Sequence, residues 1–170
     1  MRGRKRFTHE GGIRVPGIIS WPEGFERFGI QPESLSAEPV IGSDIFSTIL
    51  EIAGISPPPD VILDGSSIVP LLENREFNRS KPLYWRNNRK DYRIALRDED
   101  WKIIALSDQT GFELYNLVTD PRETTDQSTL EPEIFERLKK QLIEYDNEVL
   151  EEGPDWWKND PSITDMPEIK

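Results

Sequence analysis

The residues able to do chemistry cluster at the start of this 170-residue chain. A basic run of Arg2, Arg4, Lys5 and Arg6 precedes His9 and the stretch Glu10-Gly-Gly-Ile-Arg14. A fixed ammonium such as that of Lys5 can stabilise negative charge that develops on oxygen in a transition state. By composition alone Lys5 reads as one member of a solvated basic run. His9 is the only histidine, and its imidazole titrates near neutrality; a structural or exposed role is the simpler reading. Glu10 and Arg14 stand four apart in a segment that reads as turn-to-strand, so both are expected to be scaffold, as an ion pair or through backbone contacts. Gly11 and Gly12 read as the permissive backbone of a tight turn. Asp98-Glu99-Asp100 has the composition of a calcium loop, but a hairpin turn accounts for it more simply.

Composition excludes several alternatives. The chain has no cysteine, which removes disulfides and thiolate zinc sites, and its single histidine removes a multi-histidine metal site. A formal net charge of −11 would repel a phosphate backbone, so no nucleic acid is expected as a partner. No apolar run approaches the roughly 20 residues that a membrane span needs. The aromatic content argues for a packed core.

Periodicity divides the chain in two. Val15 to Trp21 is β-branched and contains Pro16, and reads as a buried strand ending at Pro22. Residues 23–40 read as a surface loop. A helix follows, with Ser43 as expected N-cap, Asp44 in the first turn, Ile45, Phe46, Ile49, Leu50, Ile52 and Ala53 on a broad apolar face, and Gly54 as the stop. Pro57-Pro58-Pro59 forms the best internal boundary. From Leu83 the period becomes two, predicting a hairpin about Asp98-Glu99-Asp100 and another strand over Phe112–Leu117. Pro132 opens a last helix whose stripe is Phe135, Leu138, Leu142, Tyr145 and Val149, stopped by Gly153. A one-faced antiparallel sheet and this helix would bury each other's apolar surfaces. The lone first strand needs neighbours that this chain does not supply.

The segment Lys5-Arg-Phe-Thr-His-Glu-Gly-Gly-Ile-Arg-Val-Pro16 resembles the second signature of the type I, formylglycine-dependent sulfatases. Its pattern, Gly-x-Lys-x-x-x-x-Glu-Gly-Gly-(Ile/Val)-Arg-x-Pro, is matched by Gly3, Lys5, Glu10, Gly11, Gly12, Ile13, Arg14 and Pro16. The resemblance continues through Ser43–Ile55, Leu63-Asp-Gly-Ser-Ser-Ile-Val-Pro-Leu-Leu72, Ala95–Lys102 and Glu113–Glu123. It implies an alkaline-phosphatase-like α/β fragment followed by an α+β subdomain, an antiparallel sheet packed on a long helix. Residues 1–80 would end the catalytic domain, 81–153 would be the C-terminal subdomain, and 154–170 an irregular acidic tail.

For function, the resemblance implies a sulfuric ester hydrolase in which Lys5 contacts the sulfate and Glu10, Gly11, Gly12 and Arg14 hold the signature. Family members use a formylglycine nucleophile and a divalent cation, usually calcium. The Cys/Ser-x-Pro-x-Arg motif that yields formylglycine is absent: Ser56-Pro-Pro-Pro-Asp60 and Ser80-Lys-Pro-Leu-Tyr84 lack its arginine. Asp146-Asn147 lies in the last helix and does not replace the family's metal ligands. The expected partners are therefore the missing N-terminal catalytic part and a sulfate ester, with no metal held by this chain. A phosphodiesterase or phosphonate hydrolase of the same superfamily, or a non-catalytic binding remnant, is the alternative.

Overall fold

Alternation of apolar and polar residues from Leu83 builds four strands: β1 (Leu83–Asn87), β2 (Arg93–Asp98), β3 (Trp101–Leu106) and β4 (Glu113–Asn116). The computed structural model describes residues 1–30, 33–87 and 92–152. The strands form an antiparallel sheet in the order β1-β2-β3-β4. Asp98 pairs with Trp101, which leaves Glu99-Asp100 as a two-residue turn. Glu99 has φ 51°, as tight hairpin turns of this length require. The carboxylate trio is thus a hairpin, as expected.

Helix α5 spans Pro132–Glu152 and opens on its proline. Leu138 and Leu142 are fully buried against Ile94, Leu96, Ile103, Ala105 and Leu114 of the sheet. Tyr84, Trp101, Phe112, Phe135 and Tyr145 close the edges of this core. Burying each such leucine stabilises the fold by about 2 kcal/mol.

The sheet is not one-faced. Ala95, Ile104, Tyr115 and Leu117 are buried on the opposite side, with Trp85 packed against them. Their cover comes from the start of the chain, where Thr8, His9 and Glu10 are also buried. Residues 10–13 form a single helical turn, α1 (Glu10–Ile13), rather than the entry to a strand. Met1–Val15 accordingly group with the residues from Leu83 in one compact unit, and Pro16–Pro82 form a second.

The expected strand at Val15–Trp21, which runs from the end of the first unit into the second, is absent. The segment pairs with no strand among the described residues, and Val15 and Ile18 are 77% and 91% exposed. Without a neighbouring strand an isolated β segment has nowhere to place its backbone groups except solvent. Part of the expected loop is instead α2 (Pro22–Phe28), started by Pro22 and stopped by Gly29 at φ 65°. The following helix, α3 (Gly42–Ala53), begins before Ser43. Its cap is Asp44, whose Oδ2 accepts the Ile41 backbone N–H at 2.8 Å. A short α4 (Val69–Leu72) follows. Trp156 and Trp157 of the tail lie outside the described residues.

Helix α3 buries its polar side. Asp44, Ser47 and Thr48 are buried, whereas Ile45, Phe46 and Ile49 are more than half exposed. The polar side is occupied by the Asp64-Gly65-Ser66 turn. Ser47 donates to the Gly65 carbonyl (2.7 Å), Ser66 N–H donates to Asp44 Oδ1 (2.9 Å), and Ile68 N–H donates to Thr48 (3.0 Å). A Cβ on Gly65 would stand 2.2 Å from the Ser43 carbonyl oxygen, so only glycine allows this approach.

Candidate functional site

The signature segment is laid across the sheet by its backbone. Gly11 N–H donates to the Arg2 carbonyl (2.8 Å), and Phe7 N–H donates to the Arg4 carbonyl (3.0 Å). The Asn87 amide donates to the Arg6 carbonyl. Lys5 therefore sits in a short loop fixed before and after it, and its side chain is exposed. The glycine pair serves close packing. A Cβ on Gly12 would lie 2.1 Å from the Phe7 carbonyl oxygen, and one on Gly11 would lie 2.5 Å from those of Arg2 and Gly3.

Glu10 does not pair with the Arg14 side chain. Arg14 is exposed and donates its backbone N–H to the Glu10 carbonyl at 2.9 Å. The Glu10 carboxylate instead accepts from Lys102 Nζ at 2.9 Å, and Glu123 accepts from the same ammonium at 2.8 Å. The second Glu123 oxygen takes the Glu10 backbone N–H at 2.8 Å. Lys102 and Glu123 are fully buried, and the ammonium lies 5.8 Å from the Trp85 ring centroid. Burial raises the Glu123 carboxyl above its ordinary range, against the pull of Lys102 and the Glu10 N–H. Removing one member of such a buried ionic cluster costs about 3–5 kcal/mol, because it strands the others.

Glu123 reaches this position from a built loop. Asp120 accepts the backbone N–H groups of Thr124 (2.6 Å), Thr125 (2.9 Å) and Arg122 (3.3 Å). These bonds outweigh the slight burial that opposes them and hold Asp120 below the usual carboxylate range. Glu123 itself adopts φ 55°, an uncommon conformation for a residue with a Cβ. Arg2 adds a second tie, donating to the Tyr115 hydroxyl (2.8 Å) and the Glu123 carbonyl (3.3 Å). Burial and the nearby Glu113 charge push the Tyr115 hydroxyl up to about 12 despite Arg2.

His9 is 3% exposed, a buried residue. Asp146 is fully buried on α5 and accepts from Tyr84 (2.6 Å), Arg86 and Gln109 (2.9 Å), fastening the helix to the sheet. Among the described residues no group of three or more His, Asp or Glu side chains could hold a metal ion, so the described residues do not fit a calcium site. Nor is any described helix long and apolar enough to cross a membrane.

Sequence reading missed Lys102 and Glu123. Both lie in segments matched to the family, as Trp101-Lys102 and Asp120-Pro-Arg-Glu123, yet neither carries a mark of burial. The available signal was a lysine between Trp101 and Ile103, in a strand apolar on both sides of it.

The fold and the matched family model define a C-terminal region of the sulfatase class, with a four-stranded antiparallel sheet packed on the last helix. Residues 4–148 match the family described as N-sulphoglucosamine sulphohydrolase, C-terminal, and the chain belongs to that family. Human steryl-sulfatase is 43% identical over 74 residues, covering 44% of this chain and 12% of that protein. An uncharacterized sulfatase of Schizosaccharomyces pombe is 30% identical over 156 residues, covering 85% of this chain and 27% of its own length. Mouse arylsulfatase K is 31% identical over 150 residues, covering 81% and 26% respectively. The chain thus spans about a quarter or less of these relatives. Among solved structures, Ps i-CgsB is similar in fold at a TM-score of 0.54 and 24% identity, over 64% of this chain and 24% of that one. BT4656, solved with its substrate D-glucosamine-2-N,6-O-disulfate, gives 0.50 and 24%, over 67% and 25%.

Proposed function

We propose that this chain is the C-terminal part of a sulfuric ester hydrolase, in which Lys5 contacts the sulfate group of the substrate. Formylglycine and a divalent cation would come from a preceding catalytic part that this chain does not contain. On this reading residues 1–80 end the catalytic domain, with the first fifteen lent to the subdomain sheet, and residues 81–153 form the subdomain. The chemistry left to this chain is binding and charge stabilisation. An exposed ammonium on a loop fixed at both ends can meet negative charge developing on sulfate oxygens without reorganising.

The observation that carries the reading is the fixed Lys5 loop, set in a signature whose Glu10 is bonded to Lys102 and Glu123 and whose Gly11 and Gly12 allow close backbone packing. The exposed apolar side of α3 supports it, because Ile45, Phe46 and Ile49 at 60%, 57% and 56% exposure suit a surface covered by a larger domain. The test joins the chain in cis to the catalytic part of a sulfatase and measures hydrolysis of an aryl sulfate with calcium. The isolated chain should show no turnover, and the joined protein should lose about 10²–10³-fold in kcat on Lys5→Ala, as for one positioned oxyanion donor. Turnover by the isolated chain that depends on Lys5 would overturn the assignment of the nucleophile elsewhere. An unchanged kcat/KM in Lys5→Ala would overturn the sulfate contact.

A further inference from the structure

Resting on that reading of Lys5, we propose that Lys102 and Glu123 are positioning residues for the Lys5 loop. They act through Glu10 and the one-turn helix α1. The path runs through hydrogen bonds and close backbone packing. Lys102 and Glu123 hold the side chain and backbone N–H of Glu10, at 2.9 and 2.8 Å. Glu10 starts the turn containing Gly11 and Gly12; Gly11 N–H bonds the Arg2 carbonyl before Lys5, and Gly12 leaves room for the close approach of the Arg4 and Phe7 carbonyls on either side of it. Arg2 closes the circuit on the Glu123 carbonyl.

The choice of groups is the physical argument. Apolar side chains of similar volume often stabilise a fold as well as a buried ionic cluster does, but they tolerate sliding. One buried ammonium shared by two carboxylates must keep both within hydrogen-bond reach, which narrows where Glu10 can sit. Glu123 is kept at a positive φ by the Asp120-capped loop, so its placement is held against local backbone preference. Both observations suit a device that fixes where α1 sits, and with it where the Lys5 ammonium points.

The absence of cysteine makes the experiment direct. Nitroxides are placed at Lys5→Cys and Lys140→Cys, and the width of the distance distribution between them is read by pulsed electron spin resonance. The expected result is a narrow distribution in the parent chain that broadens at least twofold in Lys102→Met and in Glu123→Gln. The pair Asp100→Cys and Lys140→Cys, which reports on the sheet and α5 alone, should stay unchanged. Should Lys102→Met fail to fold, the isosteric Glu123→Gln decides. An unchanged Lys5 distribution overturns the proposal, and so does equal broadening of both pairs, which would assign these residues to general stability.

In the joined enzyme, Lys102→Met should lower kcat/KM, and Lys5→Ala/Lys102→Met should be no worse than Lys5→Ala alone. Additive losses would overturn the link to Lys5. If Lys5→Ala has no kinetic effect while the distance result holds, the sulfate contact fails and the positioning stands.

Discussion

Glu123 and Asp44 are both buried carboxylates bonded to a cation, yet they respond to pH in opposite senses. Burial leaves Glu123 above its ordinary range despite Lys102. Its contribution to stability is therefore full below the unfolded-state value and is lost as pH rises through the raised folded value. Wild type should gain stability relative to Glu123→Gln as pH falls from neutrality toward the ordinary carboxylate range, measured as urea midpoints. Burial also pushes Asp44 up, but Arg79 and the N–H groups of Ile41 and Ser66 more than offset it and leave it lowered. Arg79 meets both of its oxygens at 2.8 Å. That stabilisation is present above the unfolded value and disappears as pH falls through the depressed one. Asp44→Ala should cost about 3 kcal/mol at neutral pH, since it strands Arg79 and two backbone donors; a cost below 1 kcal/mol would show that solvent replaces the carboxylate. At this scale the sequence was readable where spacing carried the information. The signature placed Lys5, Glu10, Gly11 and Gly12 on one loop. It could not show that the partner of Glu10 lies 92 residues away, because nothing local to Glu10 points to the lysine between Trp101 and Ile103.

Helices and strands were readable where an apolar period meets a partner within the chain. The stripe Phe135, Leu138, Leu142, Tyr145 and Val149 gave α5, and the alternation from Leu83 gave the sheet. Val15–Trp21 failed for the complementary reason: β-branched residues favour a strand, but a strand is defined by its neighbour. Helix α3 shows both sides of the rule. Its apolar face was legible, but the chain buries the Asp44, Ser47 and Thr48 side instead. The two helices should therefore respond differently to substitution. Leu142→Ala should cost about 2–5 kcal/mol by urea denaturation, as expected for a large side chain removed from a core. Ile49→Ser should stay within about 0.5 kcal/mol in this chain, being a surface change. In the joined protein the same Ile49→Ser should become destabilising. A large effect of Ile49→Ser in the isolated chain would show that this face is already engaged.

For the molecule as a whole, the bonds joining the start of the chain to its far strands are long in sequence. Glu10 N–H meets Glu123 across 113 residues, and Arg2 meets the carbonyl of Glu123 across 121. At roughly 5–20 residues per second of synthesis, the signature would wait about 6–23 s before its clamp emerges. Everything made earlier in the same polypeptide could be folded by then, with the loop of Lys5 still unset. A premature stop between Pro16 and Glu123 would thus remove no residue of the signature and still leave it without its anchor. The set of the Lys5 loop is, in this sense, a completeness check: it reports whether synthesis has passed Glu123, 113 residues beyond Glu10.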